Sequence, residues 1–500
     1  TLNPAYTNMW FSEITQALWD CRAWLFDDKN NPFPVLVKEL PSTSNGGLSA
    51  DGKVITLKLR DDLVWSDGTP LTSDDFVFTY QMYINPKNTV ASQDPFDKME
   101  KVEAPDKTTV VITFKEPYAA WLGSVYKDLL PKHILQPVMD SKGTINEAEW
   151  NHSPTVGCGP YVFEKWESGS FASFVTNPNY WGAKPKIDKI FVRFVPDDAS
   201  QTAALKAGEA DLGTFISNSD VPALETAGLQ VVKAYSGYNE GVYFNMGPKA
   251  NPATKDIAVR QAIVYAIDRE AIVKDLLLGL TSVAATDWDN TPYVDPSIKP
   301  YPYDPEKAKS LLDAAGWKPG PDGIREKDGV KLEFKYGTTT REIRKDTQAV
   351  VQNQLQAVGI KVDLINADSD TFFAGYDKSG PAATGEYDMF EYSTVPSGFP
   401  DPDAVEWLCN EIPTNENPSG TNWSFMCDKT LNDLFVTQAT QVDFTQRQQT
   451  FYKITKYIYD NAYFFGIWQD PDLWAISNKL TGVKLSGVTP FYNIAEWAFK

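Results

Sequence analysis

The sequence predicts an α/β protein built from two lobes. Its 500 residues are enough for two or three domain-sized cores. The first half alternates apolar and polar residues over short stretches bounded by turns, whereas strand and helix patterns follow one another after about residue 246. No low-complexity linker separates the two parts. Lobes joined in this way usually share a cleft, and clefts between domains are where ligands bind.

Strands and hairpins dominate the first half. Apolar and polar residues alternate at 55–60, after an Asp-Gly turn, and again at 110–114. The stretches 161–166 and 171–175 flank a Ser-Gly-Ser turn and predict a further hairpin. Between these strands, Thr72 is a favourable N-cap residue for a helix whose apolar side chains lie on one face.

The second half contains the clearest helix and a β-α-β unit. The helix follows Asp304, a favourable N-cap residue, and has Pro305 at its first position. A strand at 332–336, a helix and a strand at 360–364 then follow within about 30 residues. Such a unit predicts a largely parallel sheet with helices on its faces.

The composition excludes several classes of function. The chain has 46 basic and 66 acidic residues and a net charge of −20, so phosphate backbones and anionic lipid surfaces would repel it. No apolar run approaches the roughly 20 residues that span a bilayer. The two histidines, His133 and His152, offer little to a His-based metal site or a catalytic triad. We therefore expect no nucleic-acid partner, no metal and no cofactor.

The four cysteines lack the spacing of zinc ribbons and thioredoxin motifs. Their even number favours an oxidising compartment. Cys409 and Cys427 bracket a turn-rich loop that a disulfide would stabilise by about 3 kcal/mol, with two buried free thiols as the alternative. For Cys21 and Cys158, the residues alone leave pairing and free thiols equally open.

Seven motifs occur in the order typical of one protein family. They lie at 57–80, 130–134, 157–161, 177–182, 208–212, 259–269 and 303–317. With them the chain resembles the family 5 extracellular solute-binding proteins of ABC importers, whose members take up oligopeptides, dipeptides, nickel chelates and oligosaccharides. Cys158 departs from the family pattern, which usually has a small hydroxyl residue there, and this departure favours a disulfide with Cys21.

The resemblance implies a periplasmic-binding-protein-like fold (type II, cluster C) of two α/β lobes that close around a ligand. We expect lobe I at 1–36, 153–245 and 468–500, an extra antiparallel-rich subdomain of this lobe at 37–152, and lobe II at 246–467. The implied protein is a monomeric receptor rather than an enzyme, and its macromolecular partner is an ABC transporter permease. Its implied location is extracytoplasmic, in the periplasm or on the outer face of the cell membrane, with lipid anchoring left open.

The tryptophan content favours a sugar ligand. The chain has 15 Trp, and the C–H face of a sugar ring stacks on an indole while its hydroxyls need carboxylate or amide partners. For any single Trp, an ordinary core position is the alternative. The predicted ligand-binding residues combine aromatic and polar side chains: Trp10, Tyr238, Asn239, Glu240, Trp288, Ser397, Trp423 and Trp468.

A second argument for a sugar ligand comes from a comparison with the peptide-binding members of the family that the chain resembles. These hold the ligand's α-amine with an Asp three residues before an acidic-Pro pair; here that pair is Asp401-Pro402, and Gly398 stands in the Asp position. A buried ammonium without its carboxylate is strongly destabilising. We therefore expect a neutral β-linked oligosaccharide of two or more units. An oligopeptide or dipeptide receptor is the alternative within the family, and a glycoside hydrolase with a carboxylate pair is the alternative of another class.

Overall fold

The computed structural model describes residues 1–7, 10–195, 197–394, 401–402, 405–418 and 420–500, without the side chains of 10, 11, 394 and 405. The chain forms two compact units. Unit 1 comprises Thr1–Ala234, Ala439–Phe444 and Asp472–Lys500, and unit 2 comprises Tyr235–Gln438 and Thr445–Pro471. The chain passes from unit 1 to unit 2 after residue 234 and returns to unit 1 for its C-terminal segment after residue 471. The sequence predicts these two boundaries at residues 245 and 467. A separate subdomain at 37–152 stays a prediction.

Helices occur in both units. No helix in the described part of the chain is long and apolar enough to cross a membrane. The helices are α1 (Trp10–Trp19), α2 (Ser73–Ile84), α3 (Trp121–Ser124), α4 (Lys132–Lys142), α5 (Asp198–Ala207), α6 (Val221–Thr226), α7 (Ile257–Ala266), α8 (Arg269–Asp275), α9 (Pro305–Ala314), α10 (Glu342–Gln356), α11 (Ser369–Phe372), α12 (Lys429–Ala439) and α13 (Phe444–Asp460).

The strands are short and fall into several sheets. In unit 1 they are β1 (Trp24–Phe26), β2 (Pro32–Pro34), β3 (Val54–Lys58), β4 (Met99–Asp106), β5 (Thr109–Phe114), β6 (Tyr161–Glu167), β7 (Phe171–Thr176), β8 (Lys189–Arg193), β9 (Leu212–Gly213) and β10 (Leu229–Ala234). Unit 2 contributes β11 (Asn239–Phe244), β12 (Lys318–Pro319), β13 (Arg325–Lys327), β14 (Val330–Lys331), β15 (Glu333–Thr339), β16 (Lys361–Ala367), β17 (Met389–Thr394) and β18 (Phe464–Gln469). The chain then returns to unit 1 with β19 (Asp472–Ser477), β20 (Leu480–Thr481) and β21 (Ala498–Phe499).

Antiparallel sheets form the strand layers of unit 1. The strands pair in the orders β3-β5-β4, β6-β7-β8 and β10-β19-β9. The predicted hairpin around the Ser-Gly-Ser turn is confirmed, since β6 and β7 pair from Tyr161 opposite Thr176. The predicted cap of α2 is confirmed as well. The carboxylate of Asp75 accepts a hydrogen bond of 2.9 Å from the backbone N–H of Thr72, which closes a capping box.

A mixed five-stranded sheet in the order β16-β15-β17-β11-β18 lies at the centre of unit 2. The β-α-β prediction is confirmed by β15, α10 and β16, because the two strands run parallel. The expectation of a largely parallel sheet is wrong for the other side, where β11 is antiparallel to both β17 and β18. These strands come from segments far apart in the sequence, so no local βαβ pattern records their pairing.

Both cysteine pairs are disulfides, and none of the four cysteines is free. The bond between Cys409 and Cys427 confirms the prediction from the turn-rich loop. The bond between Cys21 and Cys158 lies inside unit 1 and joins residues 137 positions apart. It confirms the pairing that the departure at Cys158 favoured. The bond ties the chain after α1 to the loop that precedes β6.

Candidate ligand-binding site

A pocket of about 50 Å³ lies inside unit 1, at the C-terminal end of α1. Its walls come from the last turn of α1, residues 20–25, Val35, Lys127, the loop before β6, residues 180–181 and the C-terminal segment 491–495. The disulfide between Cys21 and Cys158 forms part of the wall. All of these segments belong to unit 1.

Close backbone packing builds this wall, and glycine makes it possible. The N–H groups of Cys158 and Gly159 both donate to the carbonyl of Trp19, each at 2.9 Å. A Cβ on Gly159 would lie 2.7 Å from the carbonyl oxygen of Leu18, and one on Gly157 would lie 2.2 Å from that of Trp19. Any larger residue would therefore push the loop away from α1, so the Gly-Cys-Gly motif sets the shape of the pocket.

The pocket concentrates polar groups that lack partners. The amide nitrogen of Gln16 and the indole nitrogen of Trp181 are buried and form no hydrogen bond within the described part of the chain. Neither the Arg22 guanidinium nor the Lys127 ammonium forms a hydrogen bond or an ion pair with any residue in the described part of the chain. Buried polar groups in native proteins are nearly always paired, so this concentration distinguishes the pocket from ordinary packing.

Burial and neighbouring charges set the protonation of this pocket. Burial, reinforced by the nearby Asp128 carboxylate, holds the pKa of Asp20 well above its ordinary value. Burial, followed by the positive charge of Arg22, lowers the pKa of Lys127. Both shifts favour the uncharged form of these two side chains, and Arg22 and Lys127 are the basic side chains that line the pocket.

Asp128 should give the protein a measurable pH dependence. Burial raises its pKa from 3.8 to about 6, although its hydrogen bond from Tyr83 and the charge of Arg22 act in the opposite direction. The folded protein thus binds this proton more tightly than the unfolded chain, and the associated stability is lost as the pH rises through about 6. Relative to Asp128→Asn, we expect the free energy of unfolding of the wild type to fall by about 1–3 kcal/mol between pH 4 and pH 7. Urea titrations at both pH values measure it; an unchanged difference would contradict the assignment.

Two of the predicted tryptophans lie in the apolar core of unit 2. Trp288 is 2% exposed, and its ring centroid lies 6.3, 6.0 and 5.7 Å from those of Trp407, Phe435 and Phe451. Trp468 is fully buried in β18. Both indoles thus occupy core positions, the alternative for any single Trp, and the segment around Trp288 folds inward, against α12 and α13. A stacking role for either indole stays a prediction.

Of the predicted residues 238–240, Tyr238 directly precedes β11, and Asn239 and Glu240 are the first two residues of that strand. Tyr238 is 42% exposed. Asn239 is buried, and its amide donates to the carbonyls of Asp287 and Asp289, each at 3.2 Å. This side chain therefore holds the loop that carries Trp288, which is a structural contact within unit 2. Ligand binding by Tyr238 and Asn239 stays a prediction.

Glu240 is fully buried and forms a bidentate ion pair with Arg344 of α10, at 2.7 and 2.8 Å. Burial raises the pKa of Glu240, and the Arg344 guanidinium opposes this shift. A second buried acid, Glu391, lies near enough for its pKa to be raised by burial and by Glu240, and it accepts a hydrogen bond from Tyr336. The carboxylate of Glu240 is therefore already paired, whatever further role it has.

Sequence reasoning missed Arg344, although helical periodicity could have found it. Arg344, Gln348, Val351 and Leu355 recur with helical spacing, and all four are buried in α10. An arginine on the apolar face of a helix needs a buried acidic partner. Sequence reasoning also missed the residues of the pocket in unit 1. The unusual cysteine at position 158 was the one feature of the sequence that pointed to this region.

Trp423 is half-buried in unit 2, and its ring centroid lies 6.0 Å from Phe373 and 5.8 Å from Tyr392. Its role in ligand binding stays a prediction. The side chain of Trp10 lies outside the described residues, as do Ser397 and Gly398. The Asp401 of the acidic-Pro pair is described: it is buried and forms a bidentate ion pair with Arg447, with one contact at 2.8 Å.

Comparison with known proteins relates this chain to transport receptors. A Brucella ovis protein, named provisionally as an ABC transporter peptide-binding protein, is 32% identical over 386 residues, which are 75% of this chain and 68% of that protein. The oligopeptide-binding protein AppA of Bacillus subtilis is 28% identical over 496 residues, covering 92% of this chain and 82% of AppA. The crystal structure of NikZ from Campylobacter jejuni in complex with Ni(L-His) is 26% identical, with a TM-score of 0.70 over 99% of this chain and 97% of NikZ.

The family comparison covers more than half of the chain. The sequence model described as "Bacterial extracellular solute-binding proteins, family 5 Middle" matches residues 34–416. Together with the NikZ structure, this match confirms the predicted α/β fold of the family. The chain belongs to the family 5 bacterial extracellular solute-binding proteins.

Proposed function

We propose that this chain captures short peptides outside the cytoplasm and delivers them to the permease of an ABC importer. Membership of the family makes it a substrate-binding receptor of such a transporter. The observation that carries the peptide assignment is the similarity to AppA, which extends over 92% of this chain and whose name states oligopeptide binding. The sequence favoured an oligosaccharide and gave a peptide as the alternative, whereas this proposal favours the peptide.

The arguments for a sugar ligand lose weight in the structure. Two of the proposed indole platforms, Trp288 and Trp468, are packed in the core of unit 2. The polar partner Glu240 is already paired with Arg344. The argument against peptides depended on Gly398, which lies outside the described residues. None of the relatives named above has a sugar as its stated ligand. Oligosaccharide binding is therefore an alternative outcome of the test.

The same relatives are named as binding proteins, which agrees with the expectation that this chain is not an enzyme. A nickel chelate is the ligand in the NikZ structure. The chain has two histidines, and His133 forms a hydrogen bond of 2.9 Å with Asp67 in unit 1. The chain therefore has few imidazole groups with which to bind nickel. Nickel–histidine is included in the test as the alternative ligand class.

A thermal-shift panel separates these ligand classes. Peptides of two to five residues at a hundred times their Kd should stabilise the fold by about 2.7 kcal/mol and raise the Tm by about 5–10 °C. Cello-, manno-, xylo- and laminari-oligosaccharides and nickel–histidine at matched concentrations should leave the Tm unchanged. A shift with one sugar series or with nickel–histidine, and none with any peptide, would contradict the proposal. Equimolar free amino acids are the control for nonspecific effects.

A further inference from the structure

We propose that the pocket of unit 1 binds a carboxylate group of the transported ligand through Arg22 and Lys127, which we name the cationic pair, and through the N–H groups of Gln16 and Trp181. This inference rests on the proposed function and deepens it, because it states which chemical group of the ligand enters the protein and where. The pocket lies wholly within unit 1.

The first support is that the side chains without a partner in this pocket are hydrogen-bond donors. Gln16 Nε2 and Trp181 Nε1 are donors, and both are buried without an acceptor in the described part of the chain. The cationic pair adds further donors that form no hydrogen bond or ion pair with a described residue. An oxygen-rich anion is the kind of ligand that such donors bind, since arginine binds a carboxylate through two parallel hydrogen bonds and lysine binds it as a point charge.

The second support is the charge of the pocket in a strongly acidic chain. The protein carries 66 acidic residues against 46 basic ones, yet no described carboxylate forms a direct ion pair with the cationic pair. The carboxylates of Glu13, Asp94 and Asp128 act on Lys127 more weakly than Arg22 does. Asp20 lines the same pocket, and its raised pKa favours the protonated form, which would not neutralise the pair and could itself donate a hydrogen bond. A ligand carboxylate would relieve the repulsion within the cationic pair.

The third support is size. About 50 Å³ admits a few water molecules or one small polar group, but neither a sugar ring nor a whole peptide. Arg22, Lys127 and Trp181 are partly exposed, so the pocket reaches solvent and one end of a ligand can enter it. A neutral sugar offers the cationic pair no negative charge. A peptide brings the required anion as its free carboxyl terminus or as an acidic side chain.

The test compares trialanine, trialanine amide and an amidated tripeptide with a central glutamate by calorimetry. In the wild-type protein, we expect amidation of trialanine to weaken binding at least about tenfold, because it removes the anion but keeps the size. Lys127→Met and, separately, Arg22→Gln should weaken trialanine binding by a similar factor and leave trialanine amide unchanged. Lys206→Met removes an exposed lysine of the same unit outside the pocket and should change neither affinity.

Each result has one meaning. If the glutamate peptide amide binds as tightly as trialanine and loses affinity in Lys127→Met, an acidic side chain is the source of the carboxylate, which supports the inference. If trialanine and its amide bind the wild type equally and neither pocket variant separates them, the inference is overturned while the peptide receptor stands. If no peptide binds the wild type, the proposed function is overturned and the inference falls with it. Lys127→Met loses an unpaired, partly buried charge, so its Tm should equal or exceed that of the wild type.

Discussion

Replacing Arg344 by methionine is expected to lower the free energy of unfolding of unit 2 by about 3–5 kcal/mol. The guanidinium makes two hydrogen bonds to Glu240, which is fully buried, and a third of 2.9 Å to Thr339. Its loss leaves the buried Glu240 carboxylate close to Glu391 with only the half-exposed Arg341, 4.0 Å away, as a basic neighbour. Differential scanning calorimetry should show the transition of unit 2 at a lower temperature, with that of unit 1 unchanged.

Two variants sharpen this experiment. Arg341→Met removes a half-exposed arginine 4.0 Å from Glu240, and we expect it to cost less than about 1 kcal/mol because solvent screens the charge. Glu240→Gln combined with Arg344→Met removes the unpaired charge and should recover part of the loss. Equal destabilisation by Arg341→Met and Arg344→Met would contradict the account of a buried pair.

Removing the disulfide between Cys21 and Cys158 is expected to cost unit 1 about 4–5 kcal/mol. The bond closes a loop of 137 positions, and the restriction of the unfolded chain grows with loop length. The double variant Cys21→Ser/Cys158→Ser should therefore lower the unfolding temperature of unit 1. It should also weaken ligand binding, since the bond forms part of the pocket wall.

The second disulfide provides the matched control. Cys409 and Cys427 lie 18 positions apart, so Cys409→Ser/Cys427→Ser should cost only about 3 kcal/mol, and in unit 2 rather than unit 1. Calorimetry of the two double variants under identical conditions compares them directly. A smaller loss from the long loop than from the short one, or a loss of stability in the wrong unit, would contradict this explanation.

Local chemistry made parts of the fold predictable. Asp304 was expected to cap a helix with Pro305 at its first position, and in the structure its carboxylate accepts a 2.8 Å hydrogen bond from the backbone N–H of Lys307 at the start of α9. The parallel pairing of β15 and β16 followed from one short β-α-β segment. Interactions within about 30 residues leave their pattern in the sequence, because the same few side chains form both the signal and the contact.

Contacts between distant segments were not predictable in the same way. Trp288 has polar neighbours in the sequence and therefore looked accessible, but residues about 120 to 160 positions later cover its ring. Glu240 looked like a ligand-binding acid until α10 placed Arg344 against it. The pocket of unit 1 combines α1, the loop before β6 and the C-terminal segment, so no single stretch of sequence contains its chemistry.

Calorimetric titration of the wild-type protein with trialanine tests the central claim most directly. The account predicts one peptide bound per chain, with a negative heat-capacity change because binding removes surface from water. Cellotriose, titrated under the same conditions, should give no heat beyond dilution. Saturable binding of the sugar together with no binding of trialanine or of other peptides of two to five residues would contradict the account and make this protein a sugar receptor of the same family.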